Sequence, residues 1–186
     1  GGDWLIFGLA RSDIKVPQQY FDTYYKNVEA AVREKNGILS ERKYTEYSRT
    51  VLALTAIGKD PASVAGYDLL KPLADFEQVT KQGINGTIFA LLALDSGAYD
   101  IPENTAGTTQ ATRDGYVDYI LNAELPDGGW SFAGGDPETD ITAMALQALA
   151  KYRDRQDVAD AVAFLCSDRA SYITGAVIDI NGGWMG

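Results

Sequence analysis

The chain has no histidine and one cysteine, Cys166, in 186 residues. The first absence removes Ser/His/Asp and Cys/His nucleophilic sites and every zinc site built on imidazole. The second removes any intrachain disulfide and leaves the redox compartment open. Basic residues are scarce too: 16 lysines and arginines stand against 26 acidic side chains, a formal net charge of -10. Nucleic acid and anionic membrane both call for a basic footprint, so neither is an expected partner. No apolar run approaches the roughly 18 to 20 residues of a bilayer-spanning helix, and the stretch Trp4 to Ala10 is short and holds Gly8. Membrane insertion is not expected, and no secretory leader is visible at the start.

What is present is a repeat. Apolar residues make up 46% of the chain, enough for one domain with a core of ordinary size. The segments SRTVLALTAI from Ser48, NGTIFALLAL from Asn85 and DITAMALQAL from Asp140 share the pattern Ser/Asn/Asp-x-Thr-x-x-Ala-Leu-x-Ala-Leu/Ile, and their first residues lie 37 and 55 positions apart. The first spacing is that of a two-helix repeat. WLIFGLA from Trp4 reads as a truncated fourth copy. Each copy is apolar nearly all round, the pattern of a helix enclosed on every side, and its paired alanines allow close helix approach. Between them lie segments with one apolar stripe: Tyr20, Phe21, Tyr24, Tyr25, Val28 and Val32 in one, and Tyr116, Val117, Ile120 and Leu121 in another. Asp60-Pro61 and Asp136-Pro137 predict helix starts, Gly37, Gly58 and Gly97 predict helix stops, and GAYDIPENTAGTTQ predicts a surface loop.

Alternating enclosed and amphipathic helices, with the turn Asp127-Gly128-Gly129-Trp130 ahead of a Thr-x-x-Ala-Leu helix, make residues 1–152 resemble the prenyltransferase and squalene oxidase repeat family in its secreted bacterial form. The resemblance implies an all-α fold, an open or partial α/α toroid of inner and outer helices, and an extracellular or cell-surface location. The family's catalytic elements do not carry over. There is no Asp-x-Asp-Asp cluster, no zinc set of Asp, Cys and His, and no Cys-Gly-Glu-Gln run. No metal, cofactor or catalytic residue is therefore expected.

The toroid mouth, lined by inner-helix ends, would hold Ser48, Asn85 and Asp140, with Thr50, Thr87 and Thr142 one layer down and Trp130 across the start of the last inner helix. These are the candidate ligand-binding residues. The alternative is that Ser48, Asn85 and Asp140 are N-caps and each threonine bonds back within its own helix. Complete toroids close with about five to seven helix pairs, and this chain supplies fewer. Its open edges, with Trp4, Leu5, Ile6 and Phe7 at one end, would favour self-association.

From Asp157 the sequence DVADAVAFLCSDRASYITGAVIDINGGW resembles the C-terminal segment of short-chain dehydrogenases, so residues 153–186 are expected to add a short helix and an extended or strand tail. The Gly-x-x-x-Gly-x-Gly phosphate turn of that family is missing, and Tyr67 and Lys71 match its Tyr-x-x-x-Lys pair at the level chance allows. The expected function is a non-catalytic binding or scaffold module of a bacterial surface protein, its partner an unknown small molecule or protein. The alternatives are a terpenoid cyclase or prenyltransferase acting on a polyprenyl substrate through Asp136 and Asp140, and a fragment of a nicotinamide-dependent oxidoreductase.

Overall fold

The computed structural model describes residues 2–126, 128–155, 158, 159 and 163. Asp127, Cys166 and the expected strand near the end of the chain lie outside the described residues. The α-helices follow in order: α1 (Asp3–Ala10), α2 (Gln18–Glu34), α3 (Thr45–Ala56), α4 (Phe76–Thr80), α5 (Gly83–Ser96), α6 (Arg113–Asn122) and α7 (Thr139–Leu149). Short 3-10 turns occupy Lys71–Ala74 and Ala150–Tyr152. Among the described residues, extended pairing is confined to the isolated bridges Val64 with Tyr67 and Asp75 with Gln110. No helix of the described residues is long and apolar enough to cross a membrane.

The three template segments are α3, α5 and α7, and α1 is the shorter copy. They stand in a row, with α3 packed on α1 and on α5, and α5 packed on α7. Their direction follows from the bonds between their ends. At the amino-terminal end, the Thr45 N–H donates to Gln82 Oε1 at 3.0 Å. At the other end, Thr55 Oγ1 lies 2.9 Å from the Tyr99 hydroxyl, and Tyr152 donates to Asp95 at 2.6 Å. The three therefore run parallel. Their alanines explain the spacing: Ala53, Ala90, Ala93, Ala145 and Ala148 are all buried, so the helix backbones approach over small side chains. Leu54, Leu91, Leu94 and Leu149 fill the space between the rods and are wholly buried.

The amphipathic segments take flanking positions. In α2 only Val32 is buried, and Tyr20 at the other end of the predicted stripe is 45% exposed. Thr112 caps α6, its hydroxyl accepting the Gly115 N–H at 3.0 Å, and Tyr116, Val117 and Ile120 turn inward. The loop before α6 is tied by its own side chains: Asn104 Nδ2 donates to Thr108 Oγ1 at 2.8 Å, and Gln110 Oε1 accepts the Asn104 N–H at 2.7 Å.

Several expected boundaries are corrected. Asp60-Pro61 starts no helix; Asp60 Oδ1 accepts the Ala62 N–H at 2.9 Å and closes a turn instead. Asp136 does not cap α7; the cap residue is Glu138, whose carboxylate accepts the Phe132 N–H at 3.1 Å in the preceding loop. Gly37 and Gly58 follow α2 and α3 in the left-handed region, at φ 81 and 70, as helix stops do. After α5 the left-handed residue is Ala98, at φ 50. Gly97 is needed for space, because a Cβ there would sit 2.4 Å from the Tyr99 ring.

Candidate functional site

The candidate residues divide by where their helices place them. Ser48 and Thr50 are buried on α3, their hydroxyls donating to the carbonyls of Tyr44 at 3.4 Å and Glu46 at 2.9 Å. Thr87, wholly buried on α5, donates to the Gly83 carbonyl at 3.2 Å. These hydroxyls are spent inside their own helices and do not line an opening. Asp140 is exposed in the first turn of α7. Asn85 is half-buried, and its Oδ1 is a buried acceptor without a partner.

Thr142 departs from the back-bonding pattern. Its hydroxyl accepts the Trp130 N–H at 3.0 Å and donates to the Trp130 carbonyl at 3.2 Å, stapling the loop before α7 onto the helix. Trp130 is wholly buried, and its indole Nε1 donates to the Ile120 carbonyl on α6 at 2.7 Å. Trp130 and Thr142 are thus brought together as a fastening of α6, the loop and α7. The structure does not gather Ser48, Asn85 and Asp140 at one mouth as exposed polar groups.

Two charged clusters were not visible in the sequence. Asp95, at the carboxyl end of α5, receives Arg113 Nε at 2.8 Å, Lys151 Nζ at 3.3 Å and the Tyr152 hydroxyl at 2.6 Å. Arg113 also donates to the carbonyls of Leu94 at 3.2 Å and Tyr99 at 2.7 Å, so one guanidinium closes the end of α5. Asp3, at the start of α1, accepts the Tyr24 hydroxyl at 2.5 Å and Arg49 Nε at 2.7 Å, and Arg49 also contacts Glu46. Burial, then the carboxylate each hydroxyl bonds, holds Tyr24 and Tyr152 well above the ordinary phenol range. Burial does the same for Tyr116, whose hydroxyl donates to the Leu73 carbonyl at 2.8 Å. Such tyrosines are poor general bases, and both clusters tie helices together. The partners of Asp95 and Asp3 lie 18 to 57 positions from them, beyond any local pattern.

A cleft of about 570 Å³ lies between α1 and the first turns of α2, lined by Leu5, Ile6, Leu9, Val16, Pro17 and Tyr20 among others. None of the expected ligand-binding residues lines it. Of the expected edge residues, Trp4 and Leu5 are 49% and 56% exposed, while Ile6 is buried. Tyr67 closes a tight turn on Val64, with mutual backbone bonds of 2.9 Å, and Lys71 opens a 3-10 turn on the surface. Among the described residues, no group of three or more acidic or sulfur side chains could hold a metal ion.

Comparison with known proteins redirects the reading. The family model described as Enoyl-(Acyl carrier protein) reductase matches residues 130–185. The 3-oxoacyl-[acyl-carrier-protein] reductase FabG of Aquifex aeolicus is 44% identical over 61 residues, covering 27% of this chain and 25% of the relative. The cis-4-hydroxycyclohexanecarboxylate dehydrogenase of Sinomonas cyclohexanicum is 33% identical over 165 residues, covering 83% of this chain and 63% of the relative. The FabG reductase of Pseudomonas aeruginosa is 25% identical over 181 residues, covering 95% and 62%. The chain thus spans between a quarter and under two thirds of these relatives. No solved structure matches it significantly.

These findings overturn the expected prenyltransferase and squalene cyclase identity, along with the reading as a non-catalytic scaffold; the relatives point to the short-chain dehydrogenase/reductase family. The all-α toroid as fold class is corrected with them, because such relatives imply a doubly wound α/β fold. The physical cause of the error is the generality of the pattern. An all-round apolar Thr-x-x-Ala-Leu helix reports enclosure, and helices become enclosed in many architectures. The matched stretch starts at Trp130 and contains α7.

Proposed function

We propose that the chain is part of an oxidoreductase of the short-chain dehydrogenase/reductase type, exchanging hydride between a nicotinamide cofactor and a carbonyl or secondary alcohol. The observation that carries this is the reductase family match over residues 130–185, supported by a dehydrogenase relative aligned over 83% of the chain. The relatives' names, a 3-oxoacyl reductase and a hydroxycyclohexanecarboxylate dehydrogenase, share interconversion of a ketone and a carbinol. In that direction the ketone carbon gains hydride, its oxygen gains a proton, and the nicotinamide is oxidised.

The described residues themselves do not fit a dinucleotide. A short-chain dehydrogenase cradles the pyrophosphate on a glycine-rich turn between a strand and a helix. The sequence has no Gly-x-x-x-Gly-x-Gly run, and the described residues form helices with two isolated bridges. No catalytic step is therefore assigned to them. Titration of NADH and NADPH into the full chain, followed by nicotinamide fluorescence, tests the proposal. Binding in the micromolar range, on a cradle other than that glycine run, with cofactor oxidation on adding a 3-oxoacyl thioester, is the result the proposal requires. No binding of either cofactor up to about 1 mM, a free energy of only about 4 kcal/mol, overturns it.

A further inference from the structure

We infer that residues 150–155, together with Val158, form a salt-sensitive clasp that holds the chain after α7 against α5 and α6. The carboxyl end of α7 runs directly into the 3-10 turn Ala150–Tyr152, where Lys151 and Tyr152 both reach Asp95 of α5. The next contact follows three residues on. Arg155 Nη2 meets Asp118 Oδ1 at 2.6 Å, and Nη1 meets Asp114 Oδ1 at 3.4 Å. Asp114 and Asp118 are one helical turn apart and share a face of α6, so a single guanidinium spans them. Beyond it, Val158 is wholly buried within the main core. The backbone is already turning there, with the Ala159 N–H donating to the Arg155 carbonyl at 3.0 Å.

The apolar anchor and the ionic fastening differ in what weakens them. Asp114 and Asp118 are 83% and 54% exposed, so mobile ions screen them, whereas Val158 is buried. Arg155 and Val158 are three residues apart, so the α6 carboxylates hold Arg155 close to the point where Val158 enters the core. Raising the salt concentration therefore loosens residues 150–155 and Val158 without unfolding α3 or α5. This holds whatever chemistry the segment carries, and it stands apart from the oxidoreductase proposal.

Hydrogen exchange on the full chain, read peptide by peptide, tests the clasp. In low salt the peptide covering 150–159 is expected to be protected. The double variant D114N/D118N is expected to raise its exchange about three- to fivefold while α3 is unchanged, and 0.5 M sodium chloride to do the same to the unaltered chain. Salt should add less in the double variant than in the unaltered chain, because the Arg155 pairs to α6 are already gone while the Lys151–Asp95 pair remains, an overlap that general destabilisation does not produce. Unprotected exchange across 150–159 in the unaltered chain overturns the inference, as does indifference to both salt and variant. Should the double variant exchange faster in α3 as well, the salt response of the unaltered chain decides alone.

Discussion

At the scale of single residues, the most informative contrast is between two threonines of the same repeat position. Thr142 bonds both the N–H and the carbonyl of Trp130, whereas Thr87 bonds only a carbonyl of its own helix. Thr142→Val leaves a buried N–H without a partner and is expected to cost about 1–3 kcal/mol, against less than about 1 kcal/mol for Thr87→Val. Urea denaturation of the two variants checks the difference. Asn85 presents the opposite case, a buried acceptor that nothing satisfies. Asn85→Leu removes that burden and is expected to stabilise by about 1 kcal/mol, seen as a rise of about 2–4 °C in melting temperature. Tyrosines wholly or partly buried set an alkaline limit. Tyr24, Tyr116 and Tyr152 are all held above the ordinary phenol value, so the fold disfavours their ionised forms. Stability is fully present below about pH 10 and falls as the pH rises past it, because only the unfolded chain ionises readily there. Tyr152→Phe removes one of the three hydroxyls, and melting curves between about pH 8 and 11 should show a shallower alkaline decline.

At the scale of elements, the parallel row depends on fastenings at helix ends as much as on the apolar faces between them. Arg113 is the main fastening at the carboxyl end of α5, reaching Asp95, the Leu94 carbonyl in the last turn and the Tyr99 carbonyl just beyond the helix. Arg113→Ala is expected to cost about 2 kcal/mol, read as a lower urea midpoint with an unchanged slope, since the change weakens the folded state without altering the surface exposed on unfolding. The inner helices were legible in the sequence because enclosure leaves a simple mark, apolar residues on all sides with alanine where backbones meet. The capping of α7 was not. Asp136-Pro137 is a good local start signal, yet the chain between Trp130 and Glu138 is fixed by Thr142 and by the Glu138 to Phe132 bond, so the helix begins later.

At the scale of the whole molecule, α7 is where the helical body and the reductase-like stretch coincide. Ile141, Ala145, Leu146, Ala148 and Leu149 are all buried, with α7 packed on α5. Truncation after Glu138 would strip that cover and bare the apolar face of α5. Such a fragment is expected to leave the monomer peak in size-exclusion chromatography and to associate, whereas the full chain keeps the face covered. Recovery of the truncated chain as a stable, helical monomer would show that the reductase-like stretch is a mere appendage. The candidate site was the least legible feature. Register placed Ser48 with Asn85 and Asp140, and Thr50 with Thr87 and Thr142, but register does not say whether a hydroxyl meets solvent or its own helix.

By itself the sequence determined the enclosed helices, their common ten-residue pattern, the acidic balance and the exclusion of histidine chemistry, because each is a property of composition or short-range period. It also carried the dehydrogenase-like ending, as an extended run of matching residues. Only the tertiary structure decided that the template helices run parallel in one row, that Trp130 and Thr142 fasten α6 to α7, and that Asp95 and Asp3 each gather partners from distant segments. The physical reason is range. Burial patterns repeat every few residues and can be read along the chain, whereas a hydrogen bond or ion pair between helices depends on where the whole chain brings two side chains.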